Sequence, residues 1–155
     1  RQCLEEHGLP EDHLEILSTS RKEFAKYPGD QAEYQNGYDR TIEALQNGTA
    51  STAFIGNNDM TALGIMDAIT KLGYKIPFDY SVCGFDNIPL ASMKQISLTT
   101  IEHATVQKGH EAVDLIHKKH SQDHSGRQPS YTVRLEYEPQ LIVRNSTGKC
   151  RKNLR

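Results

Sequence analysis

Polar side chains with hydrogen-bonding capacity stand directly after three short apolar stretches of the sequence. The three are Asn58 after 52–56, Asp86 after 81–85, and His103 close behind 98–101. An asparagine amide both donates and accepts hydrogen bonds, and a carboxylate can accept from two hydroxyl groups. This combination suits a small polyhydroxylated ligand such as a sugar.

Each of these positions also has a structural interpretation. Asn58 and Asp59 open a predicted helix, where Asp59 can cap free N–H groups and interact favourably with the helix dipole. Asp86 can cap the turn that runs through Asn87-Ile88-Pro89, and His103 can simply face solvent. The pattern favours a cap for Asp59 and ligand contact for Asn58 and Asp86, and leaves His103 open.

Catalytic and metal-binding interpretations have little support. The sequence contains no GxGxxG, GxxxxGK[ST], GxSxG or HExxH motif, and nothing marks Asp86 and His103 as an acid–base pair. His110, Asp114 and His117 share a helix face, but residues seven apart on a helix are about 10 Å apart. His117, His120 and His124 have suitable spacing only if the helix continues. We therefore predict a protein that is not an enzyme and has no cofactor or metal site.

The elements that position these side chains alternate between strand and helix patterns. Such alternation predicts a parallel sheet covered by helices, with ligands bound beyond the carboxyl ends of the strands. The predicted strands are 13–19, 52–56, 81–85, 98–101 and 140–144, with a period-two pattern over 131–137; the helices are 2–7, 30–46 (capped by Asp30), 59–72 and 105–119; loops cover 20–29 and 120–129.

Composition narrows the class of protein. The chain has 155 residues, 20 acidic against 18 basic, and a net charge of −2, which argues against direct nucleic-acid binding. Basic residues gather only near the C-terminus, in 148–155, which we interpret as a solvated tail. Three widely spaced cysteines fit reduced thiols in the cytoplasm. No apolar run is long enough to span a membrane, and the first residues resemble the middle of a helix, as in a fragment of a longer protein.

Four sequence signatures, in register over nearly the whole chain, resemble those of LacI/GalR-type transcriptional regulators. The first is similar to that family's Asn-Asp-x-x-Ala-x-Gly motif, and the second to its Val-Pro-x-Asp-x-Ser-Val-x-Gly-Phe-Asp-Asp-Ile-Pro motif. They are Asn58-Asp59-Met60-Thr61-Ala62-Leu63-Gly64, then 76–89, Leu98-Thr99-Thr100-Ile101, and 139–147.

The resemblance implies a periplasmic-binding-protein-like type I fold, of which this chain is the Rossmann-like C-terminal subdomain. It implies effector contacts at Asn58 and Asp86, with a third at His103, where the family often has glutamine. It also implies a homodimer, operator DNA bound through a helix-turn-helix headpiece outside this chain, and an opposite cleft wall carrying a clamping arginine. The effector is expected to be a sugar or a similar small molecule.

The same resemblance predicts a division of the chain. Residues 1–103 and the return strand 139–147 are assigned to the C-terminal subdomain, residues 104–138 to the missing N-terminal subdomain, and 148–155 to the tail. The apolar side chains of helix 105–119 would then lack their native partner, so we expect this stretch to be mobile, displaced or packed on another copy. The alternative function is a periplasmic sugar-binding protein of a transporter or receptor, which the odd number of cysteines and the four signatures disfavour.

Overall fold

The computed structural model describes residues 2–27, 29, 31–122 and 132–150. Helices and strands alternate through the middle of the chain, as the sequence predicts. The helices are α1 (Gln2–Glu6), α2 (Arg21–Phe24), α3 (Ala32–Gln46), α4 (Asp59–Lys71) and α5 (Thr105–Gln122); the strands are β1 (Ala53–Ile55), β2 (Ser81–Cys83), β3 (Thr100–Glu102) and β4 (Gln140–Ile142).

The strands form two pairs that are joined into one layer. β1 pairs with β2 in parallel, and β3 pairs with β4 antiparallel. A parallel bridge between Cys83 and Thr99 links the two pairs, and the N–H groups of Gly84 and Asp86 donate to the carbonyls of Thr99 and Ile101, both at 2.9 Å. The carboxyl ends of β1, β2 and β3 therefore lie at the same edge, as expected for a parallel α/β sheet.

The hydrophobic core lies between α4 and the sheet, and α3 packs along α4 and brings Leu45 against this core. Small residues allow α3 and α4 to approach closely, since a Cβ atom on Gly64 would lie 2.0 Å from the carbonyl oxygen of Tyr34. The buried core consists of Phe54, Ala62, Ile65, Ile69, Tyr80, Val82, Ala91 and Leu98. The buried apolar residues thus come mainly from α4, the strands and the segments next to the strands.

The predicted strand at 13–19 is wrong. Residues 11–13 form a single 3-10 turn, and residues 14–20 belong to no strand. A cavity of about 530 Å³ is lined on one side by this segment and on the other by β1. Side-chain bonds from Thr19 to Asn36 and from Thr49 to Glu15 hold the segment instead. A strand requires a neighbouring strand for its backbone hydrogen bonds, and apolar content alone does not predict such a neighbour.

The predicted loop at 20–29 contains the short helix α2. Ser20 accepts a hydrogen bond from the Glu23 backbone N–H, and the Glu23 carboxylate accepts from the Ser20 backbone, which together form a capping box. The Ser20 hydroxyl also donates to the Glu23 carboxylate at 2.7 Å, and this bond, together with the one from the Ser20 backbone N–H, lowers the pKa of Glu23. The sequence predicted a loop because this stretch is polar and ends in Pro28-Gly29.

Other boundaries differ by a few residues or lie outside the described part. α3 ends at Gln46 as predicted, with Asn47 as its C-cap, but its N-cap is Gln31, and the predicted cap Asp30 is not among the described residues. Most of the predicted loop 120–129 also lies outside them, as do residues 151–155 of the tail. Residues 132–137 form no strand, so the period-two pattern did not produce one there.

The apolar side chains of α5 are exposed. Val106, Val113, Leu115 and Ile116 are between 37% and 75% accessible to solvent. An apolar stripe left in water contributes no burial free energy to the fold. The assignment of residues 104–138 to another subdomain remains a prediction.

Within the described residues no helix has the length and apolar character needed to cross a membrane.

A buried serine fastens the C-terminal segment to the sheet. The Ser146 hydroxyl donates to the carbonyl of Val82 at 2.6 Å and accepts from the N–H of Thr99 at 2.7 Å. Replacing Ser146 with alanine is expected to lower the free energy of unfolding by about 1–3 kcal/mol, because two buried backbone groups lose their partner. Urea denaturation would measure this loss, with the exposed Ser18→Ala as control; equal midpoints for the two variants would refute the role of Ser146.

Candidate functional site

Asn58 begins α4 as its N-cap. Its side-chain oxygen accepts a hydrogen bond from the backbone N–H of Thr61 at 2.8 Å. Asn58 therefore has the capping role, and its contact with an effector stays a prediction. Since the amide oxygen serves the helix, the NH₂ group is the part of the half-buried side chain that can donate to a ligand.

Asp59 does not cap the helix, which corrects the sequence interpretation. Its carboxyl group is fully buried and accepts from the Ile88 N–H at 2.8 Å and from the Thr100 hydroxyl at 2.5 Å. Its own backbone N–H donates to the Phe85 carbonyl. A Cβ atom on Gly84 would lie 2.2 Å from the Asp59 Oδ1 atom, so this position must be glycine. Asp59 holds the ends of three elements together at the edge where the ligand is predicted.

Asp86 lies just beyond β2 in an unusual backbone conformation. Its φ angle is +109°, followed by +52° at Asn87. Non-glycine residues rarely adopt positive φ, although aspartate and asparagine tolerate it better than most. The Asp86 N–H donates to the Ile101 carbonyl, which fixes the turn against β3. The strained turn presents the Asp86 side chain, 40% of which is accessible, at the edge of the sheet.

His103 packs directly against Asp86. The His103 Nε2 atom lies 3.0 Å from Asp86 Oδ1, and its ring stacks on Phe85 with centroids 5.1 Å apart. On the other side of the ring, the Lys108 ammonium group lies 3.1 Å from Nδ1. The Thr105 hydroxyl is a more distant neighbour, 3.4 Å from Nε2. Four residues, two from the segment after β2 and two from α5, therefore determine the orientation of this imidazole.

A second layer of hydrogen bonds supports the Asp86–Asn87 turn. The Asn87 amide donates to Glu102 at 2.6 Å and accepts from the Arg144 guanidinium at 2.7 Å. The same guanidinium group donates to the Leu98 carbonyl at 2.6 Å. The turn is therefore anchored to β3 and to the segment after β4.

The structure brings two of the three predicted site residues into direct contact. Asp86 and His103 are hydrogen-bonded, whereas Asn58 is linked to them indirectly, through bonds of its neighbour Asp59 such as the one from its N–H to the Phe85 carbonyl. The sequence interpretation missed Lys108 and Arg144. Their charge was visible, but their proximity to the site depends on where α5 and the segment after β4 return.

The described part of the chain offers no grouping of three or more histidine, cysteine, aspartate or glutamate residues that could hold a metal ion. Cys3, Cys83 and Cys150 form no disulfide bond. Burial raises the pKa of the Cys83 thiol. The groups that the sheet edge presents are the Asn58 amide, the Asp86 carboxylate and the His103 imidazole.

Comparison with known proteins identifies relatives over most of the chain. A family model described as a periplasmic binding protein-like domain matches residues 1–147. The chain is 36% identical over 115 residues to the HTH-type transcriptional repressor PurR of Glaesserella parasuis serovar 5. This match covers 72% of the chain but 33% of the repressor. The chain therefore spans about a third of that relative's length.

Solved structures show the same likeness. A LacI family transcriptional regulator from Enterococcus faecium with bound ribose superposes with a TM-score of 0.75 at 26% identity, covering 97% of this chain and 49% of that one. The lac repressor dimer bound to operator and the anti-inducer ONPF superposes with a TM-score of 0.61 at 31% identity, covering 73% and 37%. The four signatures, the fold and these comparisons all indicate the same family.

Proposed function

Because the chain belongs to the LacI/GalR family and forms part of its periplasmic-binding-protein-like core, we propose that it senses a small effector for a transcriptional regulator. The observation that carries this proposal is the cluster of Asn58, Asp86 and His103 at one edge of the sheet, where parallel α/β sheets bind ligands. The effector is proposed to be a sugar or sugar derivative, and the Enterococcus relative with bound ribose supports this class.

The proposed mechanism is a population shift. An effector that binds one conformation of the complete core more tightly than another changes how the regulator presents its DNA-binding headpieces. Operator DNA, a homodimer and a cytoplasmic location belong to this proposal, and the operator-bound lac repressor dimer supports the first two. Because the chain itself carries a net charge of −2, DNA contact is assigned to a headpiece outside it.

The alternative is a periplasmic sugar-binding protein of the same fold. The relatives in hand are named as transcriptional repressors and regulators, which favours gene regulation over transport. Their names describe no enzyme, which supports the proposal that the chain is not catalytic. A regulator needs only reversible hydrogen bonds at this edge, and the described side chains provide them.

The proposal predicts how site variants respond to ligand. In a thermal-shift screen of the complete regulator against sugars, sugar phosphates and nucleobases, we expect a hit whose affinity falls about 10–100-fold in Asp86→Ala, because a hydrogen bond to a charged group is lost. Asn58→Asp keeps an oxygen for the Thr61 N–H but loses the NH₂ donor. It should therefore weaken binding without destabilising α4.

Two matched controls accompany these variants. Asp114→Asn and Asn47→Asp change exposed residues away from the sheet edge and should bind the hit as the unchanged protein does. If the hit binds equally well to the Asn58 and Asp86 variants, the effector site lies elsewhere.

A further inference from the structure

The hydrogen bonds of His103 determine which of its nitrogens carries the proton. Nδ1 lies 3.1 Å from the Lys108 Nζ atom, and Nε2 lies 3.0 Å from Asp86 Oδ1. A lysine ammonium group can only donate, and a carboxylate can only accept. The imidazole satisfies both neighbours only when Nδ1 accepts from Lys108 and Nε2–H donates to Asp86.

Lys108 is itself held in place by its surroundings. Its ammonium group lies 5.6 Å from the centre of the Tyr137 ring, in the range of a cation–π contact. The Tyr137 hydroxyl donates to Glu111, which raises the pKa of Tyr137 and lowers that of Glu111. Tyr137 lies between α5 and β4, so its ring positions Lys108 toward His103 from outside the helix.

We propose that Lys108 is a positioning residue of the effector site, which fixes His103 as the Nε2–H tautomer and leaves Asp86 Oδ2 as the acceptor for the effector. Both ring nitrogens of His103 are then used within the protein. His103 acts on the effector through Asp86 and not by a bond of its own. The specificity part of this inference rests on the proposed function.

The chemical consequence concerns the effector. With Oδ1 occupied by His103, Asp86 offers one remaining carboxylate oxygen, which accepts and does not donate. An effector that depends on Asp86 must therefore present a donor, such as a hydroxyl group. A ligand group that only accepts would face an unpaired carboxylate oxygen, which is costly when water is excluded.

The tautomer can be measured on the ¹⁵N-labelled 155-residue chain. Two-bond ¹H–¹⁵N correlations distinguish Nε2–H from Nδ1–H, and we expect Nε2–H to predominate at His103. In Lys108→Met the ratio of the Nε2–H to the Nδ1–H tautomer should fall about tenfold or more, since a charge-assisted hydrogen bond that selects the tautomer is lost. Lys108→Arg, which retains a donor, should restore it, and Lys118→Met, exposed on the same helix, should leave it unchanged.

Asp86→Ala provides a second test that does not depend on the stability of α5 in the lysine variants. Without the carboxylate, Lys108 alone still requires an acceptor at Nδ1, so Nε2–H should persist. A switch to Nδ1–H in Asp86→Ala, or an unchanged ratio in Lys108→Met, would overturn the role of Lys108. In the ligand screen, an Asp86-dependent hit without any hydrogen-bond donor would overturn the specificity. If instead the proposed function is wrong, ligands found in the screen should bind Asp86→Ala as tightly as the unchanged protein, while the tautomer ratios stay as described.

Discussion

Replacing Asp59 with alanine is expected to lower the free energy of unfolding by about 3–5 kcal/mol, because two hydrogen bonds to a fully buried carboxyl group are lost. The Ile88 N–H would lose its acceptor at 2.8 Å, and the Thr100 hydroxyl its acceptor at 2.5 Å. These bonds join the start of α4 to the turn after β2 and to β3. The loss should therefore appear in global stability and not only in local fraying.

Urea denaturation of the 155-residue chain measures this effect through the transition midpoint, provided the slope is unchanged. The control is Asp114→Asn on α5, whose side chain is exposed; its midpoint should match that of the unchanged protein. The midpoint of Asp59→Asn should lie between those of Asp59→Ala and the control. Its amide keeps one accepting oxygen but turns an NH₂ group, which can only donate, toward one of the two groups that donate to Asp59. A midpoint for Asp59→Ala within error of the control would mean that Asp59 does not hold the three elements together.

The sequence predicted the middle of the fold well because periodicity there is strong. α4, predicted as 59–72, was confirmed as Asp59–Lys71, and the strand predicted at 81–85 was confirmed as Ser81–Cys83. The strand predicted at 98–101 begins two residues later, at Thr100, and the preceding Thr99 contributes only a single bridge to Cys83.

The predicted strand at 13–19 failed for a different reason. A strand is stabilised by backbone groups on a neighbouring strand, and the sequence of the strand itself does not report whether such a neighbour lies within reach. Residues 14–20 belong to no strand, and a cavity lies between this segment and β1. Helices make their hydrogen bonds internally, so α3 and α4 could be predicted from their own residues.

The same difference between local signals and long-range contacts explains which site residues the sequence could predict. Asn58, Asp86 and His103 were found because polar residues after apolar strands lie at a known edge of a parallel sheet. Whether they bind the effector stays a prediction. The buried role of Asp59 was missed because a helix-starting aspartate is ordinarily an exposed cap. Lys108 was missed because its contact with His103 depends on the packing of Tyr137 against α5.

Replacing Gly64 with alanine is expected to cost about 3 kcal/mol, the upper end of the range for overpacked cores. Alanine normally stabilises a helix by about 1 kcal/mol relative to glycine, so the expected sign is the reverse of helix propensity. The added methyl group would lie 2.0 Å from the Tyr34 carbonyl oxygen and 2.9 Å from the Tyr38 nitrogen. Both are backbone atoms of α3, so no side chain can rotate away, and the two helices must separate.

The matched control is Gly109→Ala on α5, where a methyl group would meet nothing within 4 Å. This variant should increase the helicity measured by circular dichroism. Thermal unfolding of the two variants should shift in opposite directions, and a stabilised Gly64→Ala would show that α3 does not pack on α4 at this distance.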